Sequence, residues 1–226
     1  MKILLSWSSG KDSAWALHLL NQSHPGCVAG LLTSVNETVD RVAMHGVRRD
    51  VLEAQAAATG LPLRVVPIPH PCPNEIYEER MGAAVAAAVR EGFTHAAFGD
   101  LFLEDVRQYR VDRLRGTGLE PLFPVWGIPT AELAEQMHDG GLRARLACLD
   151  TRVLDASLIG REWNRDLLKD LPAGTDPCGE KGEFHTCVYA GPMFSHPLSL
   201  VLGEQVTREP FTWIDLLPTP APTART

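Results

Sequence analysis

Ile3-Leu4-Leu5-Ser6-Trp7-Ser8-Ser9-Gly10-Lys11-Asp12-Ser13 is the stretch that decides the fold. Ile3 to Ser6 reads as a short buried strand. A polar loop containing one glycine follows, and a helical pattern then runs from about Ser13 to Leu20. A strand that passes through such a loop into a helix opens a β-α-β unit.

Working outward, the alternation continues. Val28 to Val35 reads as a second strand. Arg48 to Thr59 has helical periodicity, with Gly60 where a C-terminal glycine cap belongs. Leu63 to Ile68 is a third strand, followed by a loop with Pro67, Pro69, Pro71 and Pro73 that no helix can cross. Asn74 is placed to cap a helix that runs to about Glu91. His95 to Phe98 is a strand ending in Gly99-Asp100, Leu103 to Leu114 a helix, and Leu122 to Trp126 a strand. This order predicts an α/β fold: a parallel sheet with helices on both faces, taking its ligand at the carboxyl ends of the strands.

The pattern changes after Gly127. Thr130 is placed to cap a helix to about His138, and Leu142 to Leu149 reads as a strand. Leu158 to Leu171 reads as an amphipathic helix, and Pro172 to Glu183 as a polar loop leading into a strand from Phe184 to Tyr189. Ser199 to Thr207 and Phe211 to Leu216 suggest a closing hairpin. We therefore expect residues 1–126 as a first domain, 127–218 as a smaller α+β lobe and 219–226 as a disordered tail.

Composition narrows the function. Lys plus Arg is 21 and Asp plus Glu is 28, a net charge of −7. That balance argues against a surface built to wrap nucleic acid, where released counterions reward positive charge. The five cysteines (Cys27, Cys72, Cys148, Cys178 and Cys187) are widely spaced with no C-x-x-C, which argues against both a disulfide framework and a structural zinc site. No stretch approaches the roughly 20 apolar residues of a membrane span. The apolar run Ile3 to Leu5 is too short for a secretory signal. The expectation is a cytoplasmic protein, for which a homodimer is compatible.

The loop itself suggests phosphate. Unpartnered N–H groups at a helix N-terminus, with the helix dipole behind them, attract anions. Gly10 lets backbone come close, Ser8 and Ser13 bring hydroxyls, and Lys11 brings a mobile positive charge. Asp12 stands where the common nucleotide-binding loop has its Ser or Thr, so this is not that loop. Gly99-Asp100 reads two ways: as a ligand approach with a magnesium- or ribose-binding acid, or as a turn glycine with a helix-capping acid. Arg107 and Arg110 either reach a phosphate or form a solvated face with Glu104 and Asp105. His45, beside Gly46 in a loop after the second strand, reads first as a satisfied loop histidine and second as a nucleotide contact, and Trp15 reads as core. In Cys178-Gly179-Glu180-Lys181-Gly182-Glu183-Phe184-His185-Thr186, two glycines frame Glu180 and Lys181 ahead of a strand. Alone it is a solvated hairpin loop; paired with the first loop it weighs more.

The first loop resembles the S-G-G-x-D-S loop of the PP-loop ATP pyrophosphatase superfamily, with Ser8, Gly10, Asp12 and Ser13 matching and Ser9 at the first glycine. With Gly179, Glu180, Gly182, Glu183 and Phe184, the chain resembles the diphthine–ammonia ligase family over about residues 3 to 194. His185 stands where the diphthine enzymes usually have an acid, and the Glu183-Phe184-His185-Thr186 form resembles the family's prokaryotic relatives instead. The resemblance implies an enzyme that uses ATP and Mg²⁺. A carboxylate would attack the α-phosphorus, pyrophosphate would leave, and ammonia would displace AMP from the acyl-adenylate. It implies nucleotide contacts at Ser6, Ser8, Ser9, Gly10, Lys11, Asp12, Ser13, Thr33, Ser34, Asn36, Gly99 and Asp100. Lys11 would meet the pyrophosphate, and Asp12 and Asp100 would hold magnesium. Lys11, Asp12, Ser13, Glu180 and Glu183 would be catalytic, the two glutamates facing the acceptor. The acceptor is a carboxylate on a small molecule or a modified protein side chain. No cysteine follows Met1, so ammonia would come free or from a separate donor protein. Two rival readings stand beside this one: a sulfur-transferring enzyme using Cys178 or Cys187, and a nucleotide-binding regulatory module without turnover.

Overall fold

The computed structural model describes residues 1–219. The expected disordered tail lies, from residue 220 on, outside the described residues. No helix among the described residues is long and apolar enough to cross a membrane.

The first sheet contains β1 (Ile3–Ser6), β2 (Val28–Asn36), β3 (Arg41–Val42), β4 (Leu63–Ile68), β5 (His95–Ala97) and β6 (Glu120–Leu122). β4, β2, β1, β5 and β6 lie side by side and all run parallel. β3 adds a two-residue antiparallel pairing at the end of β2, so the sheet is mixed at that corner. The chain moves outward from β1 to β2 and β4, then returns to the other side of β1 for β5 and β6. The strand order therefore reverses between β1 and β5, and the loops after these two strands flank the crevice that such sheets use for ligands.

Period-two alternation makes this sheet two-faced. Ile3 and Leu5 of β1, Leu31 of β2 and Ala97 of β5 enter one core. Leu4, Leu32 and Ala96 enter another, on the opposite face. The first face is covered by α1 (Lys11–Ser23) and α2 (Arg49–Thr59), the second by α3 (Asn74–Arg90) and α4 (Glu104–Leu114). Gly60 closes α2 at φ 72°, in the left-handed region.

The rest of the chain forms α5 (Thr130–Asp139), β7 (Arg143–Asp150), α6 (Arg165–Asp170), β8 (Phe184–Ala190), β9 (Leu200–Arg208) and β10 (Phe211–Pro218). Its strands pair antiparallel in the order β8-β7-β10-β9. Residues of β7, β8 and α5 belong to the same continuous core as α1 and α2. Asp215 on β10 is gripped by Arg48 at 2.6 and 2.7 Å and by Arg41 at 2.9 Å, which ties the second sheet to the corner of the first. These hydrogen bonds hold the Asp215 carboxyl down at about 2.

Three local expectations are corrected. The strand expected at Leu122 to Trp126 ends at Leu122, because Phe123 to Trp126 turns and Trp126 N–H bonds the Phe123 carbonyl. The long helix expected at Leu158 to Leu171 is a 3₁₀ turn (Ala156–Leu158) and the short α6. Between them Gly160 to Trp163 runs along β7, with Leu146 N–H on the Arg161 carbonyl and Trp163 N–H on the Ala144 carbonyl. β10 pairs only with Cys148 to Asp150, so the first half of β7 is open on that side, and its unmet backbone groups override a helical side-chain pattern there. Asn74 and Thr130 are the first residues of their helices and not caps; Pro73 and Pro129 precede them. Proline fits that position because a helix start lacks partners for its N–H groups anyway.

Gln55 of α2 joins the two sheets through polar contacts. It has no solvent exposure, accepts from Trp7 Nε1 at 3.0 Å and donates to the carbonyls of Ser9 at 3.1 Å and Val188 at 2.7 Å. Gln55→Leu leaves these buried groups short of partners and is expected to cost about 2–4 kcal/mol. A lowered urea midpoint at an unchanged denaturant slope is the measurement that checks it.

Candidate active site

The loop after β1 folds on its own hydroxyls. Ser13 Oγ donates to the Gly10 carbonyl at 3.0 Å and accepts the Ser8 N–H at 3.3 Å. Gly10 N–H reaches Ser8 Oγ at 3.3 Å. Ser9 sits at φ 68° with no exposure, and its buried Oγ has no partner among the described residues. Serine at a left-handed position costs of the order of 1 kcal/mol, a strain that a glycine would escape. α1 begins at Lys11, two residues earlier than expected, with Gly10 before it and no side-chain cap.

The second sheet closes onto this loop. Val188 N–H bonds the Ser9 carbonyl, and Lys11 N–H bonds Thr186 Oγ1 at 3.1 Å. Lys11 is not the mobile charge expected of it. Its side chain is 2% exposed. Its Nζ donates to Asp12 Oδ2 at 2.9 Å and to the Cys178 carbonyl, over the rings of Trp163 (5.5 Å) and Phe184 (5.6 Å). Burial alone would lower the Lys11 ammonium, but the carboxylates of Asp12 and Glu180 outweigh it and hold it above its ordinary value.

The loop after β5 meets the same spot. A Cβ on Gly99 would lie 2.8 Å from the backbone C of Asp12 and N of Ser13. The close approach expected of Gly99 is thus made to the first turn of α1. Asp100 follows, 3.5 Å from Arg110 Nε. Leu101 N–H donates to Glu180 Oε1 at 2.9 Å, joining this loop to the second-lobe loop. Burial raises the carboxyls of Asp12 and Asp100. Burial also drives Glu180 up to about 7, with the charges of Asp12 and Asp100 adding to the rise.

Glu183 does not face outward as its motif suggested. It is 6% exposed, and it accepts from Asp176 N–H at 3.1 Å and Lys181 N–H at 3.0 Å. Its work is to hold its own loop. Asp176, missed in the sequence, does the same by accepting from Cys178 N–H at 2.7 Å and Thr130 Oγ1 at 2.9 Å. Thr33 is buried and donates to the Trp7 carbonyl at 2.7 Å, fixing the entry to the first loop. Ser34 is half-buried and accepts the Ala43 N–H through its carbonyl. Asn36 Oδ1 accepts from Thr38 N–H at 2.9 Å in a turn. Ser6 is half-buried at the end of β1.

His45 was also misread. It stacks on His185, ring centres 4.5 Å apart, and a Cβ on Gly10 would lie 3.1 Å from its Cε1. Its buried Nδ1 has no hydrogen-bond partner among the described residues. Burial lowers both imidazoles, His185 to about 4 and His45 well below its ordinary value, so two neutral rings border the loop. Sequence separation hid this pair. Cys178 and Cys187 are buried, and burial pushes both thiols up to about 12, the opposite of what a sulfur-transferring thiolate needs.

No group of three His, Cys, Asp or Glu among the described residues could by itself hold a metal. Magnesium does not need one, because it is held by one or two carboxylates together with substrate phosphates. Asp12 Oδ1 and Asp100 Oδ2 are buried oxygens without hydrogen-bond partners among the described residues, the second 3.5 Å from Arg110 Nε, and they fit that requirement.

Residues 1–119 match the diphthamide synthase N-terminal domain, and residues 129–215 match the diphthamide synthase C-terminal domain. No curated protein matches the chain. The chain belongs to the diphthamide synthase family, ATP-using ligases of the PP-loop pyrophosphatase type.

Two outcomes test this geometry. Gly99→Ala drives a methyl into the backbone of α1 and is expected to cost about 1–3 kcal/mol in denaturant unfolding. Glu180 binds a proton more tightly folded than unfolded, so its contribution is full below about 4.5 and is lost as pH rises through about 7. Glu180→Gln keeps the oxygen that meets Leu101 and removes the charge. At pH 8 it is expected to stabilise by about 1 kcal/mol, roughly 2–4 °C in Tm, and below pH 4.5 to change nothing.

Proposed function

We propose that this member of the diphthamide synthase family converts an acceptor carboxylate to an amide with ATP and ammonia. The carboxylate oxygen bonds the α-phosphorus as the bond to the pyrophosphate oxygen breaks. Ammonia then bonds the acyl carbon, AMP leaves with its oxygen, and the nitrogen gives up a proton. The observation that carries this reading is the closure of the second-lobe loop over the switch-point loop, through Lys11, Thr186 and Glu180. A reactive adenylate must be kept from water, and a loop closed by a partner lobe does that.

The residues take these roles. The first turn of α1 and the hydroxyls of Ser8 and Ser9 offer donors to the β- and γ-phosphates, where negative charge gathers as pyrophosphate leaves, while Ser13, bonded to the Gly10 carbonyl, shapes the loop. Ser9 Oγ is the donor with no present partner. Gly10 keeps the loop open to within contact of His45. Lys11 supplies a fixed positive charge from beneath the loop. Ser6, Ser34 and Asn36, at the end of the β1 and β2 strands, border the adenosine, with Thr33 acting through the Trp7 carbonyl. Asp12 and Asp100 would hold magnesium, which when bound neutralises phosphate charge. Glu180, poised near neutral pH, is suited to take the proton that the attacking nitrogen loses. Glu183 keeps Glu180 in place by holding the loop.

Incubation with ATP, Mg²⁺, ammonium and a panel of carboxylic acids is expected to release AMP and pyrophosphate in equal amounts, dependent on one class of acid. Cys178→Ser and Cys187→Ser are expected to keep this activity within about threefold, since neither thiol reacts. ATP heat without AMP from any acid would favour the regulatory module; loss of activity in either serine variant would favour sulfur transfer.

A further inference from the structure

α4 starts two residues after the β5 loop and carries Arg107 and Arg110 on one face, three residues apart. Their guanidinium groups lie on aromatic rings. Arg107 is 4.7 Å from the Trp126 ring centre and 5.3 Å from Phe123; Arg110 is 5.1 Å from Phe98. The three rings contact one another, Phe98 on Phe123 at 5.7 Å and Phe123 on Trp126 at 6.0 Å. The turn that replaced the expected end of β6 puts Phe123 and Trp126 here, and Gly127 N–H on the Leu101 carbonyl holds that turn against the Gly99-Asp100 loop. Contact with the rings restricts each guanidinium before any ligand arrives.

The forks are under-used. The Nε atoms of both arginines are buried and lack hydrogen-bond partners among the described residues. Arg107 has only Glu104 at 3.9 Å, and Arg110 only Asp100 at 3.5 Å, both outside good hydrogen-bond geometry. Buried donors on a cation without an acceptor favour an incoming anion. Around the first loop the balance is different: Asp12 and Glu180 act on Lys11, Asp176 and Asp100 add to the charge on those two, and Lys11 already donates to Asp12 and to the Cys178 carbonyl.

We infer that Arg107 and Arg110, placed over Phe98, Phe123 and Trp126, form the recognition site for the carboxylate-bearing end of the acceptor. This rests on the amidation reading above and extends it. With adenosine over β2 and the phosphates over β1, the acceptor lies over β5 and β6. Its carboxylate is paired by a guanidinium fork, and Glu180 waits on the far side of the Gly99-Asp100 loop. The ligand class is an organic carboxylate, the group that the amidation reading requires of the acceptor.

The test uses the isotope-labelled full chain, with glutarate and inorganic phosphate as probes. Their effects are followed at the Arg107 and Arg110 Nε–H signals and the Trp126 indole N–H signal. Millimolar glutarate is expected to shift all three saturably, and phosphate to shift them less. Arg107→Lys keeps the charge but loses the fork, and is expected to weaken glutarate binding about tenfold at the Trp126 signal. Arg107→Gln is expected to abolish it. Unmoved signals, equal response to phosphate, or full affinity in Arg107→Lys overturns the assignment. ATP heat on the unaltered chain separates the two readings. ATP binding with silent arginines overturns only the acceptor site, whereas no ATP binding overturns the nucleotide reading and leaves a glutarate shift at Arg107 standing.

Discussion

One ammonium group organises this molecule. Lys11 opens the first helix, yet its charge is almost fully removed from water and is satisfied by Asp12 beside it and the Cys178 carbonyl from the other sheet. A buried cation without partners costs several kcal/mol, so the loop that carries Cys178 cannot leave without exposing or abandoning that charge. The lysine that the loop pattern offers to a ligand is instead the pin between two sheets. Thr186 on the Lys11 N–H, Val188 on the Ser9 carbonyl and Gln55 between both make the same junction in neutral bonds.

Closing two loops on one another concentrates carboxylates. Asp12, Asp100 and the pair Asp176 and Glu180 come from three separate parts of the chain; Lys11 balances Asp12, and Arg110 lies 3.5 Å from Asp100. Asp176 and the nearby Glu183 are stabilised by backbone N–H groups of their own loop. Asp12 and Asp100 retain buried oxygens without donors, and Glu180 is driven to the edge of protonation at neutral pH. Such surplus negative charge is stable only because protonation is available to it, and a bound cation would meet the same need. The arginines on α4 meet this surplus only where Arg110 lies 3.5 Å from Asp100, and the Arg107 guanidinium lies over Phe123 and Trp126 instead.

The elements that were legible in the sequence are those whose pattern is local. Ile3 to Ser6 and Leu63 to Ile68 alternate between two cores because a strand alternates by geometry, and Gly60 ends its helix because left-handed backbone favours glycine. The helix drawn over Leu158 to Leu171 failed for the converse reason. Its apolar spacing was helical, but the open edge of β7 needed backbone partners and drew Gly160 to Trp163 alongside. The same limit applies to the site. Gly99 was marked as a position of close approach, while the object approached, the backbone of Asp12 and Ser13, was not visible. His45 and His185 are 140 positions apart in the chain and in contact in space.

The sequence by itself determined the α/β alternation, the placing of the Ser8–Ser13 loop at a strand-to-helix turn, and the two-motif resemblance that the family match bears out. These depend on side-chain period, glycine freedom and residue type, all properties of neighbours in the chain. Tertiary structure alone decided which polar groups are spent and which are left over: Lys11, Thr33 and Glu183 tied to the frame, Ser9, Asp12 and the α4 arginines holding unmet atoms. Whether a group is satisfied depends on what the rest of the chain brings to within about 3 Å of it, and no local pattern contains that distance.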